Sequence, residues 1–132
     1  MNLLLDTHGF LWSLFTPDKL SKAVVREIKS PNNDVAVSVV IFWDISLKYA
    51  LGKLELTGVT PEELPDFAVQ MNLEILPLTA AEASSFHKLP RLSHKDPFDR
   101  INIWLAIQRK MTLISKDRDF KSYHQFGLRT FW

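Results

Sequence analysis

The sequence predicts an α/β fold: a three-layer sandwich with helices on both faces of a central, mostly parallel sheet of about five strands. The opening stretch Met1-Asn-Leu-Leu-Leu-Asp6 is a short apolar run that stops at a carboxylate, the pattern of a strand buried on both faces. Four further short runs, at 35–38, 73–76, 111–115 and 128–132, read as strands, and segments of helical periodicity separate them. Asp6 then stands at the C-terminal end of a central strand, where open α/β sheets collect their ligands.

The elements follow in order. Phe10, Leu11, Leu14 and Phe15 recur at helical spacing over 8–15 and stop at Thr16-Pro17-Asp18. Residues 21–29 form a second helix, with Val24, Val25 and Ile28 on its apolar side and Lys22, Arg26 and Lys29 on its wet side. The strand at 35–38 leads into a helix over 39–51, where Val40, Trp43, Leu47 and Leu51 fall at helical steps and Gly52 supplies the stop. Asp44 sits in the middle of that apolar helix, where its propensity is poor, and it shares a face with Lys48. Thr60-Pro-Glu-Glu63 and Thr79-Ala-Ala-Glu82 are capping boxes that open helices running to about residues 71 and 88. Asp96-Pro97 is an N-cap with a first-turn proline, opening a helix to about residue 110. The strand at 111–115 follows, then Asp117, a short helical or turn segment from Asp119, and a last edge strand at 128–132.

Length and composition set the frame. With 132 residues, 46% of them hydrophobic, and no repeat or low-complexity linker, the expectation is a single domain over 1–132. The absence of cysteine excludes disulfides, zinc–thiolate sites and thiol nucleophiles, and agrees with a reducing compartment. No leader pattern precedes the first strand and no apolar run is long enough to span a bilayer, so a cytoplasmic protein without membrane attachment is expected. The formal net charge is +1, and setting aside the four acids Asp6, Asp44, Asp99 and Asp117 leaves +5 on the rest of the surface. Such a surface attracts a polyanion while the acidic cleft repels it, a tension that divalent cations resolve.

Those four acids carry the candidate chemistry. Asp6 follows the first strand, Asp44 lies on the helix after the second, Asp99 is in the first turn of a helix, and Asp117 follows the fourth strand. Gathered in low dielectric, they raise one another's pKa or bind a cation. Hard oxygen donors without Cys or a paired-His motif suit Mg²⁺ or Mn²⁺ rather than zinc. A carboxylate-held Mg²⁺ binds a phosphodiester oxygen, lowers the pKa of a water and stabilises the leaving oxyanion. Lys48, Lys95, Arg100, Lys116 and Arg118 lie near the acids in sequence and are candidate phosphate contacts, against the plainer reading of solvated side chains. Three of the four also have a local structural explanation, Asp99 as complement to a helix dipole and Asp6 and Asp117 as Asx turns, and the nearby Asp96 reads as a cap. Asp119 competes with Asp117 but is further from the strand end.

Five pieces of the chain together resemble the PIN-domain proteins of the VapC toxin type. They are Leu3-Leu-Leu-Asp-Thr-His8, Val37-Ser-Val-Val-Ile-Phe-Trp-Asp-Ile-Ser46, Leu51-Gly-Lys-Leu54, His94-Lys-Asp-Pro-Phe-Asp-Arg100 and Thr112-Leu-Ile-Ser-Lys-Asp117. The resemblance implies a PIN-like fold and a Mg²⁺-dependent ribonuclease toxin of the prokaryotic cytoplasm, restrained by a cognate antitoxin and assembled as a homodimer. It implies Asp6, Asp99 and Asp117 as metal ligands, with Thr7 and Ser115 as supporting hydroxyls. Asp44 stands where the family usually has Glu, one methylene longer, so it reaches a metal through water or not at all. Trp12, Leu14 and Phe15 fit an apolar antitoxin groove, although core packing explains them as simply.

Two other classes compete. A phospho-accepting receiver domain needs paired acids after the first strand and an Asp after the third, whereas Asp6 is followed by Thr7-His8 and Leu76 by Pro77. A Ser-His-Asp hydrolase lacks its Gly-x-Ser-x-Gly turn. A PIN-like module that binds RNA or antitoxin without cutting, through the shortened Asp44, remains as the alternative.

Overall fold

The computed structural model describes residues 1–132. Its five strands, β1 (Asn2–Leu5), β2 (Asp34–Ser38), β3 (Glu74–Leu76), β4 (Thr112–Ile114) and β5 (Arg129–Phe131), form one sheet in the order β3-β2-β1-β4-β5. Every pairing is parallel, so the sheet expected to be mostly parallel is wholly so. β1 is central, with Leu3 beside Val35 of β2 and Leu4 beside Leu113 of β4. The chain steps outward from β1 to β3, then returns across the sheet to lay β4 on the other side of β1. Strand order therefore reverses between β1 and β4, and the carboxyl ends of these two strands open a crevice.

Alternation along β1 explains why it reads as a continuous apolar run. Leu3 and Leu5 join Phe10, Val24, Ile41, Ile45 and Leu64 on one face of the sheet. Leu4 joins Ile103, Leu105, Leu113, Phe120 and Tyr123 on the other. All three β1 leucines are fully buried, which a strand needs when helices cover both faces.

The helices are α1 (Thr7–Phe15), α2 (Lys22–Lys29), α3 (Val39–Ala50), α4 (Leu64–Gln70), α5 (Ala80–Ser85) and α6 (Pro97–Gln108). Short polar side chains start most of them by accepting orphan first-turn N–H groups. Ser21 accepts from Val24 N at 3.0 Å, Ser38 from Val40 N at 2.9 Å, and Asp96 from Phe98 N at 2.9 Å and Asp99 N at 3.1 Å. Two expected helices are shorter and tighter than their periodicity suggested. Residues Pro61–Glu63 and Phe86–Lys88 are single 3-10 turns flanking α4 and α5, because the capping boxes fix a first turn without fixing helix length.

The buried face of α3 differs from the one its periodicity suggested. Val40, Ile41, Asp44 and Ile45 point inward, whereas Val39, Trp43, Leu47 and Leu51 run along the helix as an exposed stripe. Apolar residues occupy both sides of this helix, so spacing alone does not select the inner one.

A clamp ties α5 to α6 far from the crevice. Arg109 grips Glu82 with two bonds of 2.7 and 2.8 Å and donates to Pro77 O at 2.7 Å, while Trp104 Nε1 donates to Glu82 O at 3.2 Å. The Arg109 guanidinium holds the Glu82 carboxyl down at about 2. Because the folded-state value lies below the ordinary 4.5, this stability is present above pH 4.5 and is lost as pH falls toward 2. Arg109→Ala is expected to lower unfolding stability by about 2 kcal/mol at pH 7, with a smaller loss at pH 3, measured by urea denaturation at both pH values.

Candidate active site

Asp6 sits at the bottom of the crevice. It follows β1 directly, its N–H donates to Ile114 O of β4 at 3.3 Å, and its side chain N-caps α1 by accepting from Gly9 N at 2.6 Å. That approach explains Gly9, since an added Cβ would lie 3.0 Å from Asp6 Oδ1. Asp6 is 7% exposed. Burial raises its carboxyl to about 6, against the opposing hydrogen bonds from Gly9 and Ser115 and the His8 charge, and the Asp99 charge adds to the rise.

Asp44 reaches the same region from α3 and is fully buried. Thr7 donates to its Oδ2 at 2.8 Å, and Lys48, one turn along, lies 2.8 Å from its Oδ1. Both carboxylate oxygens are thus engaged within the protein. Lys48 also lies 3.7 Å from Asp96 Oδ2. Burial by itself would lower the Lys48 ammonium, but the hydrogen bond and charge of Asp44, with Asp96 and Asp99 behind it, hold it above its ordinary range.

Asp99 and Asp117 meet around a residue that the sequence did not single out. His94 Nε2 is 2.8 Å from Asp99 Oδ2 and its Nδ1 is 3.9 Å from Asp117 Oδ2, with the ring held edge-on to Phe120 at 5.0 Å. Burial raises the Asp99 carboxyl, as does Asp96, while His94 and Lys48 oppose the rise. Asp117 is more exposed, accepts from Asp119 N at 2.9 Å and donates its own N–H to Ser115 Oγ at 3.1 Å. His94, Asp117 and Asp119 each offer a ligand atom within 4.8 Å of the others. The available signal for His94 was its position five residues before Asp99, in the loop that delivers that acid.

The basic candidates separate sharply. Arg100 is buried and donates to Leu89 O at 3.0 Å and Pro90 O at 3.3 Å, with its guanidinium 4.9 Å from the Phe86 ring, so it holds the loop before α6 instead of facing the crevice. Lys48 is tied to acids, as described. Lys95, Lys116 and Arg118 are exposed. Of the apolar candidates, Trp12 and Leu14 are half-buried and Phe15 is 40% exposed. Trp12 packs edge-on to Trp132 at 5.8 Å.

A family model for the PIN domain matches residues 3–125, nearly the whole chain. The chain belongs to the PIN domain family. It is similar to a Mycobacterium tuberculosis protein named Ribonuclease VapC22, at 27% identity over 98% of each chain. In fold it is similar to a chain of the Rickettsia felis VapBC2 complex with promoter DNA, at TM-score 0.70 and 18% identity over 99% of this chain and 98% of that one. A chain of FitAcB from Neisseria gonorrhoeae matches at TM-score 0.63 and 20% identity over 98% and 96%. PIN nucleases generally use a divalent metal, and the donor set here is chemically suited to one. Asp6 and Asp99 are anions taken from water with incomplete cationic compensation, and a divalent cation relieves that deficit.

The raised Asp6 carboxyl has a measurable consequence. A folded-state value near 6 against an ordinary 3.8 means that Asp6 contributes least stability above pH 6 and that its penalty is absent below pH 3.8. In EDTA, Asp6→Asn is expected to be more stable than wild type by about 3 kcal/mol at pH 7.5 and equal to it near pH 3.5. Thermal melts across this range check both values, and added Mg²⁺ is expected to stabilise only the wild type.

Proposed function

We propose that this chain is a metal-dependent endoribonuclease that acts as the toxin of a toxin–antitoxin pair in the prokaryotic cytoplasm. The observation that carries the reading is the crevice between β1 and β4, where buried Asp6 and half-buried Asp99 act on each other electrostatically in a PIN-family chain. Asp6, Asp99 and Asp117 would hold Mg²⁺ or Mn²⁺, and Asp44 would contribute through water at most, because Thr7 and Lys48 occupy its oxygens. When bound, the ion would supply Lewis-acid stabilisation of the phosphodiester and would lower the pKa of an attacking water. The chain's own residues prepare the site. Gly9 and Ser115 orient Asp6, and His94 lies between Asp99 and Asp117. Lys95 and Lys116 are free to meet flanking phosphates, whereas Lys48 and Arg100 stiffen the walls.

The engagement of both Asp44 oxygens also favours a second reading, an RNA-binding module with little or no cleavage. A structured RNA incubated with the protein and Mg²⁺ separates the two. Wild type is expected to cut, Asp6→Asn and Asp99→Asn to lose about a hundredfold or more, and Asp44→Glu to cut faster and at lower Mg²⁺. Intact RNA with wild type and Asp6→Asn alike, both still binding it, sinks the nuclease reading.

The partners follow from the neighbours and the surface. The solved chains of similar fold belong to VapBC2 and FitAcB, which supports an antitoxin partner here. A second copy of the chain covers the α3 stripe: Trp43 is 64%, Leu51 58%, Leu47 42% and Val39 40% exposed, a run of large apolar side chains rare on a monomer's surface. Light scattering is expected to report a dimer for wild type and a monomer for Trp43→Asp with Leu47→Glu. A wild-type monomer at high concentration contradicts the assignment.

A further inference from the structure

Trp12 and Trp132 lie at the edge of the acidic crevice with two lysines and a histidine around them. Both indoles are half-buried and meet edge to face, 5.8 Å between centroids and 69° between planes. His8 extends the group, its ring 5.4 Å from Trp12. Lys19 and Lys116 each place Nζ 5.9 Å from the Trp12 centroid. Four separate segments supply these residues: α1, the 3-10 turn Pro17–Lys19, the loop after β4, and the residue after β5.

Their position is informative. Lys116 stands between Ser115 and Asp117, and His8 is close enough for its charge to act on Asp6. The aromatic group therefore borders the acids on the β5 side of the crevice. A polyanion approaching the acids alone is repelled, whereas here two ammonium groups flank aromatic rings at the same edge. A nucleotide carries both matching parts, a phosphate for the lysines and a flat base for the rings. The contact between a lysine and an indole is weak at an exposed site, so a phosphate draws the ammonium groups off Trp12 and uncovers ring surface.

We propose that His8, Trp12, Lys19, Lys116 and Trp132 form a subsite for an unpaired nucleotide beside the scissile phosphate, with the indoles stacking on its base and the lysines holding its phosphate. This rests on the reading of the crevice as an RNA-cleaving site and adds the side chains that seat a nucleotide beside the cut. In a duplex the bases are already stacked on one another and give the indoles nothing to meet. An acidic peptide satisfies the lysines but leaves the rings without a planar partner.

The test uses the full chain carrying Asp6→Asn, so that the probe is not consumed, and a fluorescein-labelled mixed-sequence oligoribonucleotide as single strand or blunt duplex. Anisotropy is expected to show tighter binding of the single strand, accompanied by quenching of tryptophan emission. Trp132→Ala is expected to weaken it about tenfold, and Trp132→Phe, which keeps a ring, to restore most of that loss. Lys19→Ala and Lys116→Ala, both at exposed positions, are each expected to lower the slope of log Kd against log salt by about 0.7. Thermal melts establish that each variant is folded, and the lysine variants carry the test if Trp132→Ala is not. Single-strand affinity within twofold of the parent in all variants, or equal affinity for the duplex, overturns the subsite and leaves the patch to a protein partner. Single-strand binding that depends on the patch, in a protein whose wild type leaves that strand uncut in Mg²⁺, supports the subsite while removing the cleavage reading.

Discussion

The structure depends on one constraint: a carboxylate is kept at the end of the central strand with almost no access to water. Asp6 is placed there by the β1 register and held by its cap on α1, so the chain cannot turn into its first helix without aiming this anion into the crevice. Burial drives its carboxyl toward the neutral form, and the charge of half-buried Asp99 adds to the pressure. The rest of the crevice distributes compensating charge. His94 lies against Asp99, Lys48 against Asp44, and Ser115 and Gly9 donate to Asp6. These contacts leave Asp6 and Asp99 above the ordinary carboxylate range, the electrostatic condition of a site suited to a divalent cation.

Asp44 ties two helices together from within the core. An aspartate on α3 lies close to its own helix, within reach of Lys48 one turn away and of Thr7 at the start of α1. Its carboxylate therefore links α1 to α3 while remaining fully buried. Lys48 becomes part of the wall because Asp44 and Asp96 both attract it. Basic residues close in sequence to acids are thus poor guides to substrate contacts, as Arg100 also shows, since its guanidinium is drawn to the carbonyl oxygens of Leu89 and Pro90. Lysines that remain exposed, such as Lys116, keep their charge available to solvent and to anions.

The sequence by itself determined the layers and the crevice. Leu3, Leu4 and Leu5 form a run that only a strand covered on both faces accommodates, and strand–helix alternation leads to a parallel sheet because each parallel connection needs a crossover. Asp6 and Asp117 were legible as strand-end acids for the same reason. Tertiary structure alone decided which side of α3 faces the core, because apolar residues lie on both of its sides and periodicity does not choose between them. It also decided the partners of the polar groups: His94 between Asp99 and Asp117, Lys48 on Asp44, Arg100 beneath its loop, and Trp12 against Trp132 from the far end of the chain. Sequence spacing governs contacts within an element. These contacts join elements far apart in the chain or loops whose path local pattern does not encode, and only the packed sheet brings them within a few ångströms.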